Sequence, residues 1–270
     1  TTNDSNTPND GTYAANVSID GGTTNLIIGL STIDGNLTLL SGGTITDDGI
    51  ATVRGTLTAT TDAGDSAITL NQLAVTGALT LDPDDTGAVT IVNAVNLDLA
   101  ASTMGGTFSG TATTGDISDS GDLAITGAAT FITAQAEQDI ILDQNNAFTT
   151  TVTMKAGTDG SLAFNDITFK DSDGVRLHSS AASNGDLFID TAGTDLAVGG
   201  DLSITATTGN ITQGSELAVT NTSTFTTSAI GGTITLNDAD NTFTGAVALN
   251  TNGSSGNATI KNDRALLLAA

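Results

Sequence analysis

Short runs of alternating apolar and polar residues fill most of the chain. Asn36-Leu37-Thr38-Leu39-Leu40 and Ala88-Val89-Thr90-Ile91-Val92 put aliphatic side chains on one side of an extended backbone and Thr on the other, which is the period-two pattern of a half-buried β-strand. Gly, Asn and Asp punctuate these runs, as turn residues do.

The runs recur at long range. Residues 109–131 align without a gap with residues 203–225, an offset of 94, and residues 43–58 align with 115–130, an offset of 72. Ile45, Ile117 and Ile211 then coincide, as do Val53, Ile125 and Val219. A second block repeats independently: Ile68–Leu70 with Val75–Leu81 matches Ile140–Leu142 with Phe148–Met154, and again Ile234–Leu236 with Phe243–Leu249.

The offsets differ by 22 residues, and a solenoid absorbs such a difference by adding a coil. The expected architecture is therefore all-β: a right-handed parallel β-helix (β-solenoid) of roughly twelve coils, about 22–24 residues each and ~55–60 Å long at the usual strand spacing. The long repeat then takes three turns and next four, with the extra coil within about 157–192. In this scheme Ile45, Ile117 and Ile211 share one inward ladder, Phe131 and Phe225 occupy matching positions, and threonine ladders cover the outside. A β-sandwich explains the strands but not the inserted turn. Residues 1–10 are polar, contain Pro8 and lack alternation, so they read as a flexible arm or linker; residues 11–270 read as a single solenoid. The apolar Ala265–Ala270 offers no polar cap, so the ends are expected to continue into further coils of a longer protein or to mate with other copies.

Composition agrees. Lys plus Arg number 6 against 30 Asp plus Glu, for a net charge of −24, and straight-chain helix formers are scarce, which excludes long helices and coiled coils. Aromatic residues make up only 3%, yet 38% of the chain is hydrophobic and ordered in alternation, which sets it apart from a disordered acidic tail. The absence of cysteine excludes a disulfide scaffold, a thiolate metal site and a cysteine nucleophile. No apolar run reaches the length of a membrane helix, and the negative charge opposes nucleic acid and anionic lipid.

The strings around Gly209–Thr220, Ile234–Leu249 and Asp195–Ile204 resemble the repeats of filamentous-haemagglutinin-like exoproteins, and the likeness covers nearly the whole chain from Gly11. The resemblance implies the shaft of a large bacterial surface protein, located outside the cell. The amino-terminal secretion domain of that group is not evident here, so a secretion route is only implied.

Parallel β-helices also carry polysaccharide lyases and hydrolases, and hydrolases need converging carboxylates. Asp47-Asp48 and Asp84-Asp85 are the available pairs, but the first aligns with Asp119-Ser120 and Gln213-Gly214, as a variable, solvated polar turn would. The six cations are scattered; Arg176 and the single His178 gather near Lys170, Asp171 and Asp173, on a segment whose alternation reads as a solvent-facing strand. No cofactor is required. Calcium is the more credible ligand for so acidic a chain, with Asp82, Asp84 and Asp85, then Asp171 and Asp173, then Asp238 and Asp240 as candidate ligand groups. None completes a recognised calcium loop. Several Asn-x-Ser/Thr sequons occur, as expected in a chain this rich in Asn and Thr. The functional expectation is a non-enzymatic shaft used in cell attachment or in an extracellular matrix, with neighbouring coils, end-to-end copies, surface glycans or host and substratum receptors as partners. A self-assembling filament subunit and a carbohydrate-binding or polysaccharide-degrading β-helix are the alternatives.

Overall fold

The computed structural model describes residues 15–135, 137–156, 165–172, 175–177, 186–189 and 196–269. No helix occurs among them, and every strand pairing is parallel. The chain is a β-solenoid with two broad faces. Face one stacks eleven strands in sequence order, from Val17–Asp20 through Ile117–Asp119 to Val247–Asn252; face two interleaves with it, from Leu26–Ile28 to Ala258–Ile260. Eleven rungs on face one make about ten turns, slightly fewer than twelve. The reason lies in coil length. Most rungs are 20 to 24 residues apart, as in Val17 against Leu37, Leu57 against Leu79 and Ser223 against Val247. Ile140 against Ile167 takes 27 residues and Ile167 against Leu202 takes 35, which consumes chain without adding a rung to face one.

The 35-residue stretch overlaps the segment 157–192 expected to hold an extra coil, much of which lies outside the described residues; two strands are described within it. Val175–Leu177 and Asp186–Ile189 both join face two, where Asp186–Ile189 stacks on Val152–Ala156 and Val175–Leu177 lies above it, out of chain order. The insertion thus adds one strand to face two and none to face one.

This corrects the ladder assignments. Ile45 and Ile211 lie on face two, but Ile117 lies on face one; Phe131 belongs to face two and Phe225 to face one. Starting from Leu37–Ser41 on face one, its counterpart Phe108–Ala112 is reached after three and a half turns and lies on face two, and Leu202–Ala206 lies a further three and a half turns on, back on face one. Each repeat therefore spans a half-integral number of turns, and the middle copy is rotated to the opposite side. The exchange is cheap because both faces bury the same pattern, apolar in and hydroxyl out.

A narrow facet makes the swap visible. Ser31–Ile33 and Ala51–Val53 follow a face-two strand and precede a face-one strand, as do Leu196–Val198, Leu217–Val219 and Thr242–Phe243. In the middle copy Ser102–Met104, Leu123–Ile125 and Ala147–Phe148 follow face one and precede face two, so the facet sits on the other edge of the shaft.

The core is a set of continuous inward ladders. Leu97, Ile117, Ile140, Ile167 and Leu202 stack rung on rung on face one, all buried. Phe108, Phe131, Phe148 and Phe169 form a chain of ring contacts with centroids 5.1, 6.1 and 5.4 Å apart. Each such pair adds about 0.5–1.5 kcal/mol beyond burial. The outward hydroxyl ladders also form: Thr46, Thr69, Thr90, Ser109, Thr130 and Thr153 run unbroken up face two. Near the far end, Leu268 bridges Val247, whose N–H donates to Leu267 O while Ala269 N–H donates to Val247 O, so this segment begins a further rung.

Candidate functional site

The polar residues are concentrated at the corners, where each coil must turn and leave backbone N–H groups without a strand partner. Three kinds of side chain satisfy these groups.

The first is a column just before the face-one strands. Asn36 N–H donates to Asn16 Oδ1 and Thr56 N–H to Asn36 Oδ1, both at 2.9 Å. Higher up the column is carboxylate: Asp139 N–H donates to Asp116 Oδ1 at 2.9 Å, Asp166 N–H to Asp139 Oδ1 at 2.8 Å, Asp201 N–H to Asp166 Oδ1 at 2.6 Å, and Thr222 N–H to Asp201 Oδ1 at 2.8 Å. Burial raises the Asp139 carboxyl above the ordinary value, and the neighbouring Asp166 and Asp116 carboxylates add to the rise against the Asp166 N–H bond that opposes it.

The second is a clasp at the end of the first strand in each aligned turn. Asp47 accepts from the N–H groups of Asn71 and Gln72 at 3.1 and 2.8 Å. Asp119 accepts from Asp143 and Gln144 at 2.9 and 3.3 Å and from Asn146 Nδ2 at 2.6 Å. Gln213 Oε1 accepts from Asp238 N–H at 3.3 Å and from Asn241 Nδ2 at 3.1 Å. The position expected to be a variable, solvated turn thus performs one task in all three copies. In the middle copy it is not solvated: Asp119 is 7% exposed, and burial, with the Asp143 charge adding to it, pushes its carboxyl up against the pull of its three hydrogen bonds.

The third is a set of caps that reading the sequence missed, all buried except the half-buried Asn262. Asn93, Ser102, Asn146, Asp171, Asn241 and Asn262 accept the N–H groups of Val75, Leu81, Leu123, Phe148, Leu217 and Phe243, at 2.8 to 3.1 Å. Most serve the short facet strands. The available signal was an asparagine recurring two residues before a phenylalanine at the end of a polar run, since Asn146 precedes Ala147-Phe148 as Asn241 precedes Thr242-Phe243.

The candidate calcium ligands fall into this scheme. Asp82 is exposed at the end of Leu79–Asp82, and Asp84 and Asp85 form the next corner, where Asp84 N–H donates to Thr61 Oγ1 at 2.9 Å and Asp85 takes a φ of 45°, a left-handed conformation that Asp tolerates. Asp171 is buried, and its Oδ1 also accepts Ser172 N–H at 2.8 Å. Asp238 Oδ1 accepts Asp240 N–H at 3.1 Å in a local turn. Asp173 and His178 lie outside the described residues. Among the described residues no group of three or more His, Cys, Asp or Glu is arranged to hold a metal ion. Of the cations, Arg54 pairs with Asp34 and Arg264 with Asp263, both at 2.8 Å, and Lys170 Nζ donates to Asn145 Oδ1 at 2.8 Å. The corners among the described residues hold rungs together.

The family described as "Repeats of unknown function (DUF5649)" matches residues 14–82, 86–155 and 184–250. These three segments coincide with the three copies seen in the fold. No curated protein and no solved structure matches the chain.

Proposed function

We propose, from the premise that this chain belongs to the DUF5649 family of repeats, that its task is mechanical: it is the rigid shaft of a bacterial surface protein, non-enzymatic, and used in attachment or in an extracellular matrix. The observation that carries the reading is the unbroken eleven-rung ladder of face one, whose core continues from rung to rung and whose corners are tied by side chains to the rung above or below. Each turn is stabilised only by its neighbours, so such an array extends by addition of turns. A net charge of −24 keeps shafts apart and soluble.

The location outside the cell and the likeness to filamentous-haemagglutinin-like exoproteins rest on the repeat strings alone. Antibodies raised against the solenoid test them. They should label intact source cells, and soluble solenoid should compete with attachment; labelling only after permeabilisation would overturn the surface assignment. A second reading, end-on assembly of copies, is favoured by the rung that Leu267–Ala269 begin on Val247. It predicts rods whose length in electron micrographs grows with protein concentration.

A further inference from the structure

The three clasps offer an internal comparison. Asp119 and Gln213 occupy equivalent positions and hold equivalent corners, each working with a fully buried asparagine, Asn146 or Asn241. Asn146 passes the connection on: its Nδ2 donates to Asp119 Oδ2 while its Oδ1 accepts Leu123 N–H at 2.9 Å. Asn241 does the same between Gln213 Oε1 and Leu217 N–H. The chemical difference is that one acceptor carries a titratable charge and the other does not.

Among the described residues every partner of the Asp119 carboxylate is a donor. Its two oxygens face the N–H groups of Asp143 and Gln144 and the amide of Asn146, so an added proton has no acceptor among them and converts charge-assisted bonds into weaker neutral ones. We propose that Asp119 makes the corner of the middle repeat a proton-sensitive clasp, while the corresponding Gln213 clasp of the third repeat is indifferent to protons. More open corners elsewhere in the shaft, including Asp47 with Asn71 and Gln72, keep water as an alternative partner.

The charged surroundings favour protonation. Asp143, on the rung above, repels the Asp119 charge. On the rung below, Leu99 faces Asp119 and Asp98 faces Ser118. Asp122 lies on the adjoining corner and accepts Asn145 N–H at 3.0 Å, while Asp116 and Asp139 stand at the other end of the same pair of strands. From the next rung up, the only cation at this corner among the described residues, Lys170, is engaged with Asn145, and Asp171 points its Oδ1 at Phe148 N–H. Burial acts in the same direction and is the largest single influence on the carboxyl.

The test is amide hydrogen exchange on the full chain, corrected for intrinsic rates, together with carbon-13 titration of the Asp119 carboxyl. The two N–H bonds favour the ionised carboxyl, so acid promotes a local opening that frees the two amides while Asp119 stays buried. The protection of the Asp143 and Gln144 amides should fall several-fold with the midpoint of the Asp119 titration, above the ordinary carboxylate value, while the Asp238 amide held by Gln213 keeps its protection. In Asp119→Gln the first two amides should become as insensitive as the third. The proposal is overturned if the Asp143, Gln144 and Asp238 amides respond alike in the unaltered chain, or if Asp119 titrates at or below the ordinary value. The wild-type comparison decides the matter even where the substituted chain does not fold, and it is independent of where the protein resides.

Discussion

Asn146 and Asn241 are fully buried amides that each satisfy a facet N–H and a neighbouring side chain. Truncation leaves those groups without partners in a dry interior, a cost of about 1–3 kcal/mol for each group. Asn146→Ala or Asn241→Ala should therefore lower the denaturation midpoint clearly, whereas Asn16→Ala, at an exposed corner, should change it little. Ser223 presents the opposite case. It interrupts the inward ladder between Leu202 and Val247, is buried, and its Oγ has no hydrogen-bond partner among the described residues. Ser223→Ala should raise the melting temperature, by removing a desolvated hydroxyl worth about 1 kcal/mol or more; a lower melting temperature would show that the hydroxyl is satisfied. Neither role was legible beforehand. Asn and Ser in a chain this rich in both look like turn residues until their neighbours in space are known.

In the strands, alternation was enough to place inward and outward residues, and the threonine ladder of face two follows it rung by rung. What alternation left open is how side chains of different size share one ladder. Gly110 sits between Ile91 and Phe131 on face two, and a Cβ there would come within 2.7 Å of the Phe108 ring. The glycine makes room for the ring that begins the phenylalanine chain. Gly110→Val should destabilise by about 1–3 kcal/mol through overpacking, and Phe131→Ala by about 3–5 kcal/mol through cavity formation, both read from denaturant midpoints. The corner at Asp47, Asp119 and Gln213 shows the same limit. Aligned sequences made it look variable, because a carboxylate and a primary amide are different letters; in space they supply one thing, an acceptor for N–H groups of the rung above.

Across the shaft as a body, the half-turn rotation of the middle repeat is the feature with the most direct test. Spin labels at the equivalent outward positions Thr58 and Thr224 should lie on the same face, about seven rungs and ~34 Å apart, while a label at Thr130 should report from the opposite face. A whole-turn repeat would instead put Thr58 and Thr130 in one column at ~14 Å. Acidity acts on the entire shaft as well. Asp119 and Asp139 titrate above the ordinary carboxylate value, so the folded chain binds those protons before the unfolded chain does; ionisation costs stability at neutral pH, and the cost is relieved as pH falls through the folded values. Asp65, held low by the Thr86 hydroxyl, and Asp263, held low by Arg264, act the other way and lose their contribution as pH falls below the ordinary value. The melting temperature should rise as pH falls from 7 towards the ordinary carboxylate value and decline in stronger acid. Added salt should raise it at pH 7 by screening a net charge of −24. A steady fall from pH 7 downwards would count against this balance.

That the chain is a parallel β-solenoid built of three long copies could be read from the letters alone, because alternation, turn residues and repeated blocks are local properties that survive in a string. The same letters also separated the residues that face in from those that face out. How the copies are wound became visible only in three dimensions. Both faces accept the same pattern, so nothing in the letters distinguishes three turns from three and a half; the answer depends on how many residues each corner consumes, and the corners vary from rung to rung. The folded chain likewise settles which Asp and Asn residues are buried fastenings and which are exposed, since that depends on the adjacent rungs, 18 or more residues away in the chain.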